Sequence, residues 1–276
     1  MTENATTAAR LDRLVRPFFE RDGIVIYHAN AKDIIGELPD CDAIVTDPPY
    51  GIIGTFGTSD LYGSRRMQFA FDQPENVMDD VADIVDVAAS KAKALHLFCD
   101  PDHYGNLAER VRRHGFTVKP WLRMKKCPPP PMPGNWWPNA FELAMYAYKP
   151  GAWFGDVSGK RNNVFECDGY RHGIRADEKV DHPTQKWLPM IEYIVTTIVP
   201  EGGLCIDPFM GSGTTLVAAK LAGRRAIGIE INREYCEMAV ERLRQGVLRF
   251  DSEDALDAEL REIVNTPPKP WTRGTT

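Results

Sequence analysis

Two short stretches hold residues whose types and spacing suit chemistry. In AIVTDPPYGI, residues 43–52, an apolar β-branched run ends on Asp47, followed by Pro48, Pro49 and Tyr50. A carboxylate closes the strand, two prolines restrict the next backbone steps, and an aromatic ring hangs from the end. A proline-rich turn explains the same letters taken alone. In LCIDPFMGSGTTLVAAKLAG, residues 204–223, Gly211 and Gly213 make a tight turn between a strand-like and a helix-like segment. Such a turn lets a ligand approach the backbone and leaves helix N–H groups free. About twenty residues on, at the end of RAIGIEI, Glu230 is spaced to hold ribose hydroxyls. A phosphate loop needs Lys and then Ser or Thr after its last glycine, but Thr214 and Thr215 follow Gly213. A dinucleotide fingerprint needs a third glycine where Leu216 stands. An adenosyl ligand without a diphosphate remains, and S-adenosylmethionine fits that description. A plain glycine turn beside a surface glutamate has the same spacing.

These residues need elements to place them. The chain has 276 residues, 43% apolar and 26% charged, enough for one large α/β domain or two small ones. No apolar run is long enough to cross a bilayer. The segment MTENATTAARLDRLVRPFFE carries charges through its apolar positions and does not read as a signal peptide. Cys41, Cys99, Cys127, Cys167, Cys205 and Cys236 form no CxxC pair, so no metal site and no disulfide framework is predicted. A reducing, cytoplasmic compartment is the expectation.

Strand-like and helix-like segments alternate, which predicts an α/β fold with a doubly wound, mostly parallel sheet. Strands are expected at 23–29, 43–47, 95–100, 204–207 and 225–231. Helices are expected at 79–94, 103–115, 182–199, 214–223 and 232–245, with a short one after Asn30. TVKPWLRMKK and FELAMYAYK read as an antiparallel pair. Between them CPPPPMPGNWWPNA is too rich in proline for a helix or a central strand. Periodicity fades over 151–181. We expect one α/β domain over 1–276, with 127–181 as a small insert and 247–276 as a tail.

The order DPPY, then HPTQK, then DPFMGSGTT resembles the amino-methylating DNA methyltransferases, which methylate the exocyclic nitrogen of adenine or cytosine. The order of motifs is similar to that family's β arrangement, and the likeness runs from about Gly23 to Gln245. The resemblance implies a class I methyltransferase sheet of seven strands, with the antiparallel pair at one edge. GIVIYHA would lie beside RAIGIEI, and LCID beside AIVTD. It also implies S-adenosylmethionine as cofactor, held by Asp207, Phe209, Gly211, Gly213, Thr214 and Glu230. Thr184, Gln185 and Lys186 would lie near the methionine carboxylate. Family members often carry Gly-Asp before DPPY, the Asp reading the cofactor adenine; Ala29-Asn30 stands here, so Asn30 takes that place. HPTQK is usually followed by proline, and here by Trp187.

The chemistry expected of DPPY follows. An exocyclic amine is a poor nucleophile because its lone pair is delocalised into the ring. Asp47 and the carbonyl of Pro48 can each accept one of its N–H groups and free that pair for the sulfonium methyl. Pro48 and Pro49 keep the carbonyl aimed, and Tyr50 offers a face to an unstacked base.

Double-stranded DNA is the implied partner, although the net charge is −6. Residues 110–126 carry seven Lys or Arg and no acid, among them Arg123, Lys125 and Lys126. Arg65 and Arg66 follow DPPY, and Arg161, Arg171 and Arg175 lie in the insert. These types suit phosphate and base-edge contact. So small a recognition region implies a short site or a homodimer, and the resemblance admits a cognate restriction nuclease as partner. Family members with Asp before Pro-Pro more often act on adenine N6, which is the activity expected. Cytosine-N4 methylation is the nearest alternative. RNA or protein-glutamine methylation and a non-catalytic DNA-binding relative agree less well with the motifs.

Overall fold

The computed structural model describes residues 16–49, 77–125, 141–155, 162–167 and 186–244, all within one unit, Met1–Arg244. They form a sheet of nine strands in chain order: β1 (Phe19–Arg21), β2 (Ile24–His28), β3 (Cys41–Thr46), β4 (Ala92–Phe98), β5 (Thr117–Lys125), β6 (Phe141–Tyr148), β7 (Val164–Cys167), β8 (Leu204–Asp207) and β9 (Arg225–Glu230). Their order across the sheet is β1-β2-β9-β8-β3-β4-β6-β5-β7. The helices are α1 (Ala31–Ile34), α2 (Val77–Lys91), α3 (Pro101–Arg113), α4 (Leu188–Ile198), α5 (Thr214–Leu221) and α6 (Arg233–Arg244).

Period-two alternation within buried strands builds two cores. On β3, Ile44 joins Ile34, Val85, Leu95, Leu107 and Val111 on the face covered by α1, α2 and α3. Its neighbours Ala43 and Val45 point the other way, against Met190, Ile194, Leu216 and Val240 of α4, α5 and α6. Helices therefore cover both faces, as a parallel sheet requires. β2, β9, β8, β3 and β4 are mutually parallel. LCID does lie beside AIVTD, and GIVIYHA beside RAIGIEI.

β6 runs antiparallel to both β4 and β5. Its start therefore lies at the same end of the sheet as the C-terminal ends of β3, β4 and β8. That reversal carries residues of β5 and β6 to the end where the motifs converge.

The strand count departs from the expected seven. β1 and β7 add one strand at each edge, so the antiparallel pair is flanked by β7 rather than edge-exposed. β1 comes from a hairpin: Asp22 and Gly23 have φ of 53° and 78°, the two positive values of a tight two-residue turn. β7 pairs parallel to β5 inside the stretch read as irregular. The helix expected over 79–94 stops at Lys91, because buried Ala92, exposed Lys93 and buried Ala94 already alternate as a strand. The helix expected from 182 begins at Leu188, with Pro189 in its first turn. Among the described residues no helix is long and apolar enough to cross a membrane.

Candidate active site

The glycine turn follows β8 and is gripped from several sides. Gly211 and Gly213 have φ of 50° and 78°, the region where side chains are strained. A Cβ on Gly213 would stand 2.7 Å from Ala239 Cβ of α6. Gly228 of β9 lies beneath, where a Cβ would meet Met210 Sδ at 2.5 Å. Arg242 of α6 ties the turn from behind: its Nη1 donates to the Ser212 carbonyl at 2.7 Å and to Thr214 Oγ1 at 3.0 Å. The turn is thus packed into shape by sequence-distant residues before any ligand arrives.

Two carboxylates frame it. Glu230 ends β9 and accepts from Gly211 N at 3.0 Å on one oxygen and from Asn232 N at 2.7 Å on the other, with Ile231 N a further backbone donor to the carboxylate. A carboxylate offers about four lone-pair sites, so capacity remains for a hydroxyl donor. Burial raises the Glu230 carboxyl above its ordinary value, against the pull of those N–H groups. Asp207 ends β8, 4% exposed, and accepts from Thr46 Oγ1 at 2.7 Å and Phe209 N at 3.1 Å. Burial pushes its pKa up to about 6, while hydrogen bonds from Thr46, Thr215 and Phe209 hold it down. Asn30, just past β2, spends its Oδ1 capping α1 through Lys32 N at 3.0 Å. The adjoining Ala29 N bonds Glu230 O at 3.1 Å, so Asn30 and Glu230 stand at the ends of neighbouring strands.

Asp47 follows β3 directly, next to β8. Its Oδ2 lies 3.0 Å from Lys186 Nζ. The same ammonium lies 3.5 Å from Glu142 Oε2 and 4.5 Å from the centre of the Phe98 ring. Glu142 in turn accepts from Arg123 Nη1 at 3.1 Å, and these two are cross-strand partners of β6 and β5. Burial pulls the lysine pKa down, but the carboxylates of Asp47 and Glu142 prevail and raise it. Close by, His96 of β4 is 2% exposed, between Phe98 and Trp121 at ring-centre distances of 5.0 and 4.7 Å. Neither of its ring nitrogens has a hydrogen-bond partner among the described residues. Burial, then the nearby Lys186 charge, lowers its pKa to about 3.

The two motifs share one cleft. Asp47, Lys186 and Phe98 line one part of it, Asp207, Phe209 and Gly211 the other, with Thr214 at the helix start. Pro48 and Pro49 follow Asp47 outside any helix or strand. Lys186, expected near a methionine carboxylate, lines this cleft and is paired with Asp47 and Glu142. Arg123, expected to face DNA, is directed at Glu142 with a side chain only 14% exposed. Lys125 closes β5, its side chain outside the described residues. Tyr50, Arg65, Arg66, Lys126, Arg161, Arg171, Arg175, Thr184 and Gln185 also lie outside them.

Sequence reading missed Glu142, Thr46, Arg242 and Ile231. Glu142 carried a signal: it is the one acid in the apolar strand FELAMYAY. Thr46 and Arg242 carried none, since their partners are far away in the chain. Ile231, next to Glu230, is 67% exposed, an apolar side chain left open beside the strand-end acid.

Residues 41–241 match the DNA methylase family model of N6/N4 type. The type II methyltransferase M.ScaI of Streptomyces caespitosus is 42% identical over 273 residues, covering 83% of this chain and 84% of that one. The type II methyltransferase M.HpaI of Haemophilus parainfluenzae is 25% identical over 252 residues, with 84% and 76% covered. The crystal structure of the M1.HpyAVI–SAM complex superposes with a TM-score of 0.61 at 26% identity, covering 79% of this chain and 99% of that one. A doubly wound sheet whose glycine turn shares a cleft with Asp47 fits an N6/N4-type methyltransferase. The chain belongs to the DNA methylase family and is an S-adenosylmethionine-dependent DNA methyltransferase.

Proposed function

We propose that the enzyme methylates the exocyclic N6 of adenine in a short, specific duplex site, taking the base out of the helix to do so. One observation carries this: the Asp47 carboxylate opens into the same cleft as the glycine turn, so donor and acceptor sites adjoin. Adenine rather than cytosine is supported by Asp at the first position of the DPPY motif. Cytosine-N4 methylation is the second reading.

The residues present suit the cofactor. The Glu230 oxygens, fixed by backbone N–H groups, suit ribose hydroxyls, and exposed Ile231 suits the flat face of the adenine. Asn30 keeps its amide N–H groups for an adenine edge. Asp207, Phe209, Gly211, Gly213 and Thr214 surround the place for the methionine portion, with Thr184 and Gln185 of HPTQK assigned beside them. When bound, S-adenosylmethionine supplies an electrophilic methyl on a sulfonium. Asp47 and the Pro48 carbonyl accept the two amine N–H groups and turn the nitrogen lone pair toward that methyl. Tyr50 is assigned to stack on the base. Arg65, Arg66, Lys125, Lys126, Arg161, Arg171 and Arg175 are assigned to DNA. The type II relatives support a restriction-modification role with a cognate nuclease, and the small insert supports a homodimer.

Mass analysis of nucleosides from DNA treated with the enzyme tests the base. N6-methyladenine is expected; methylation on cytosine alone refutes the adenine assignment. In the same assay Asp47→Ala should keep cofactor binding and lose turnover by roughly 100-fold or more, the scale for removed transition-state contacts. Undiminished turnover would remove Asp47 from the chemistry.

A further inference from the structure

One oxygen of the amine site at Asp47 is already paired. Lys186 Nζ, an N–H donor like the target amine, sits 3.0 Å from Asp47 Oδ2. A base amine that docks on this oxygen displaces it. The displaced cation has little water to go to: the lysine side chain is 17% exposed and leans on the Phe98 ring. A buried cation stripped of its partner is strongly unfavourable. His96, beside the same Phe98 ring, is neutral and offers no counter-charge. Glu142 does, 3.5 Å from the same nitrogen. Its carboxylate is anchored on the sheet rather than a loop. Arg123 Nη1 holds Oε1 at 3.1 Å from the adjoining strand, which turns Oε2 toward the lysine.

We propose that Glu142 is a positioning residue that takes over the Lys186 ammonium when the target amine displaces it from Asp47, with Arg123 orienting the receiving carboxylate. Two carboxylates serving one cation keep it paired in both states, so Asp47 becomes available without stranding a charge. The inference rests on the function proposed above, in which Asp47 binds the amine. It assigns Arg123 to the acceptor pocket rather than to a DNA backbone.

The test uses the full chain and a duplex bearing its own target sequence, identified by modification sequencing of DNA from expressing cells. 2-Aminopurine replaces the base beside the target adenine, which keeps its N6 amine, and its fluorescence rises when the adenine leaves the stack. Failure of the wild type to modify DNA would overturn the proposed function itself, a result separate from those below. Glu142→Gln is expected to bind S-adenosylmethionine within about threefold of wild type but to weaken extrusion about tenfold or more. Adding Lys186→Met removes the ammonium that would be stranded. It should therefore raise extrusion at least tenfold more in the Glu142→Gln background than in the wild-type background. Equal effects of Lys186→Met in both backgrounds would overturn the proposal, as would wild-type extrusion in Glu142→Gln. Circular dichroism checks folding. If Glu142→Gln does not fold, Glu142→Asp enters the same cycle, with the smaller carboxylate reach giving the same sign of coupling.

Discussion

Asp207 predicts a pH dependence for cofactor binding. Its carboxyl is buried among Thr46, Thr215 and the Phe209 N–H, with a pKa near 6. We assign it to the cofactor amino group, an interaction that needs the ionised form. Above about pH 6 the group is charged; as pH falls through 6 it takes a proton and the attraction is lost. Cofactor affinity should therefore fall below pH 6, by up to about tenfold per unit. Calorimetric titration with S-adenosylmethionine at pH 7.5, 6.5 and 5.5 measures this, and Asp207→Asn should flatten the profile. An equal pH dependence in that variant would assign the titration to another group. None of this could be anticipated from LCIDP, because the pKa comes from neighbours that the letters do not name.

At the scale of elements, the turn between β8 and α5 depends on α6 and β9 for its shape. Gly213 combines a positive φ with an Ala239 contact that leaves no room for a methyl group. Gly223, after α5, has a φ of +68° but nothing within 4 Å of an added Cβ. The pair separates backbone strain from crowding. Gly223→Ala should cost only the conformational part, about 1–2 kcal/mol, and keep cofactor affinity. Gly213→Ala should cost more and weaken cofactor binding at least tenfold, since the turn must shift off α6. Thermal melts with parallel cofactor titrations give both numbers. Equal cofactor affinity in the two variants would show that the packing of the turn is irrelevant to binding. The hairpin of β1 and β2 belongs to this scale too: Asp22-Gly23 is a sequence-visible turn signal, while the three-residue strand before it is too short to show periodicity.

Across the whole molecule, the aromatic layer under α4 links stability to pH. His96 is buried neutral, with its pKa lowered from 6.5 to about 3. Between those values the unfolded chain binds a proton that the folded chain excludes, so stability falls as pH drops below 6.5. His96→Phe cannot titrate and should lose less stability on acidification. Relative to the variant, the wild type should lose about 1 kcal/mol between pH 7 and pH 5.5. Urea unfolding at the two pH values checks it. The opposite slope comes from Asp207, whose raised pKa favours the folded state in acid and loses that contribution as pH rises toward 6. It is present in both proteins, so the difference isolates His96.

Local sequence determined what needs only neighbours along the chain: strands by alternation, helices by apolar spacing and caps, the strained turn by its glycines, and the strand-end acids by position. Motif order then led to parallel neighbours for LCID and AIVTD, and so to the shared cleft. Tertiary structure decided what depends on contacts between distant residues. It placed Arg123 and Lys186 in one ionic chain with Glu142 and Asp47, gave Arg242 to the glycine turn, and added a strand at each edge of the sheet. Charge partners and buried pKa values depend on which groups meet after folding. A run of basic letters therefore could not show that one of them faces a carboxylate rather than DNA.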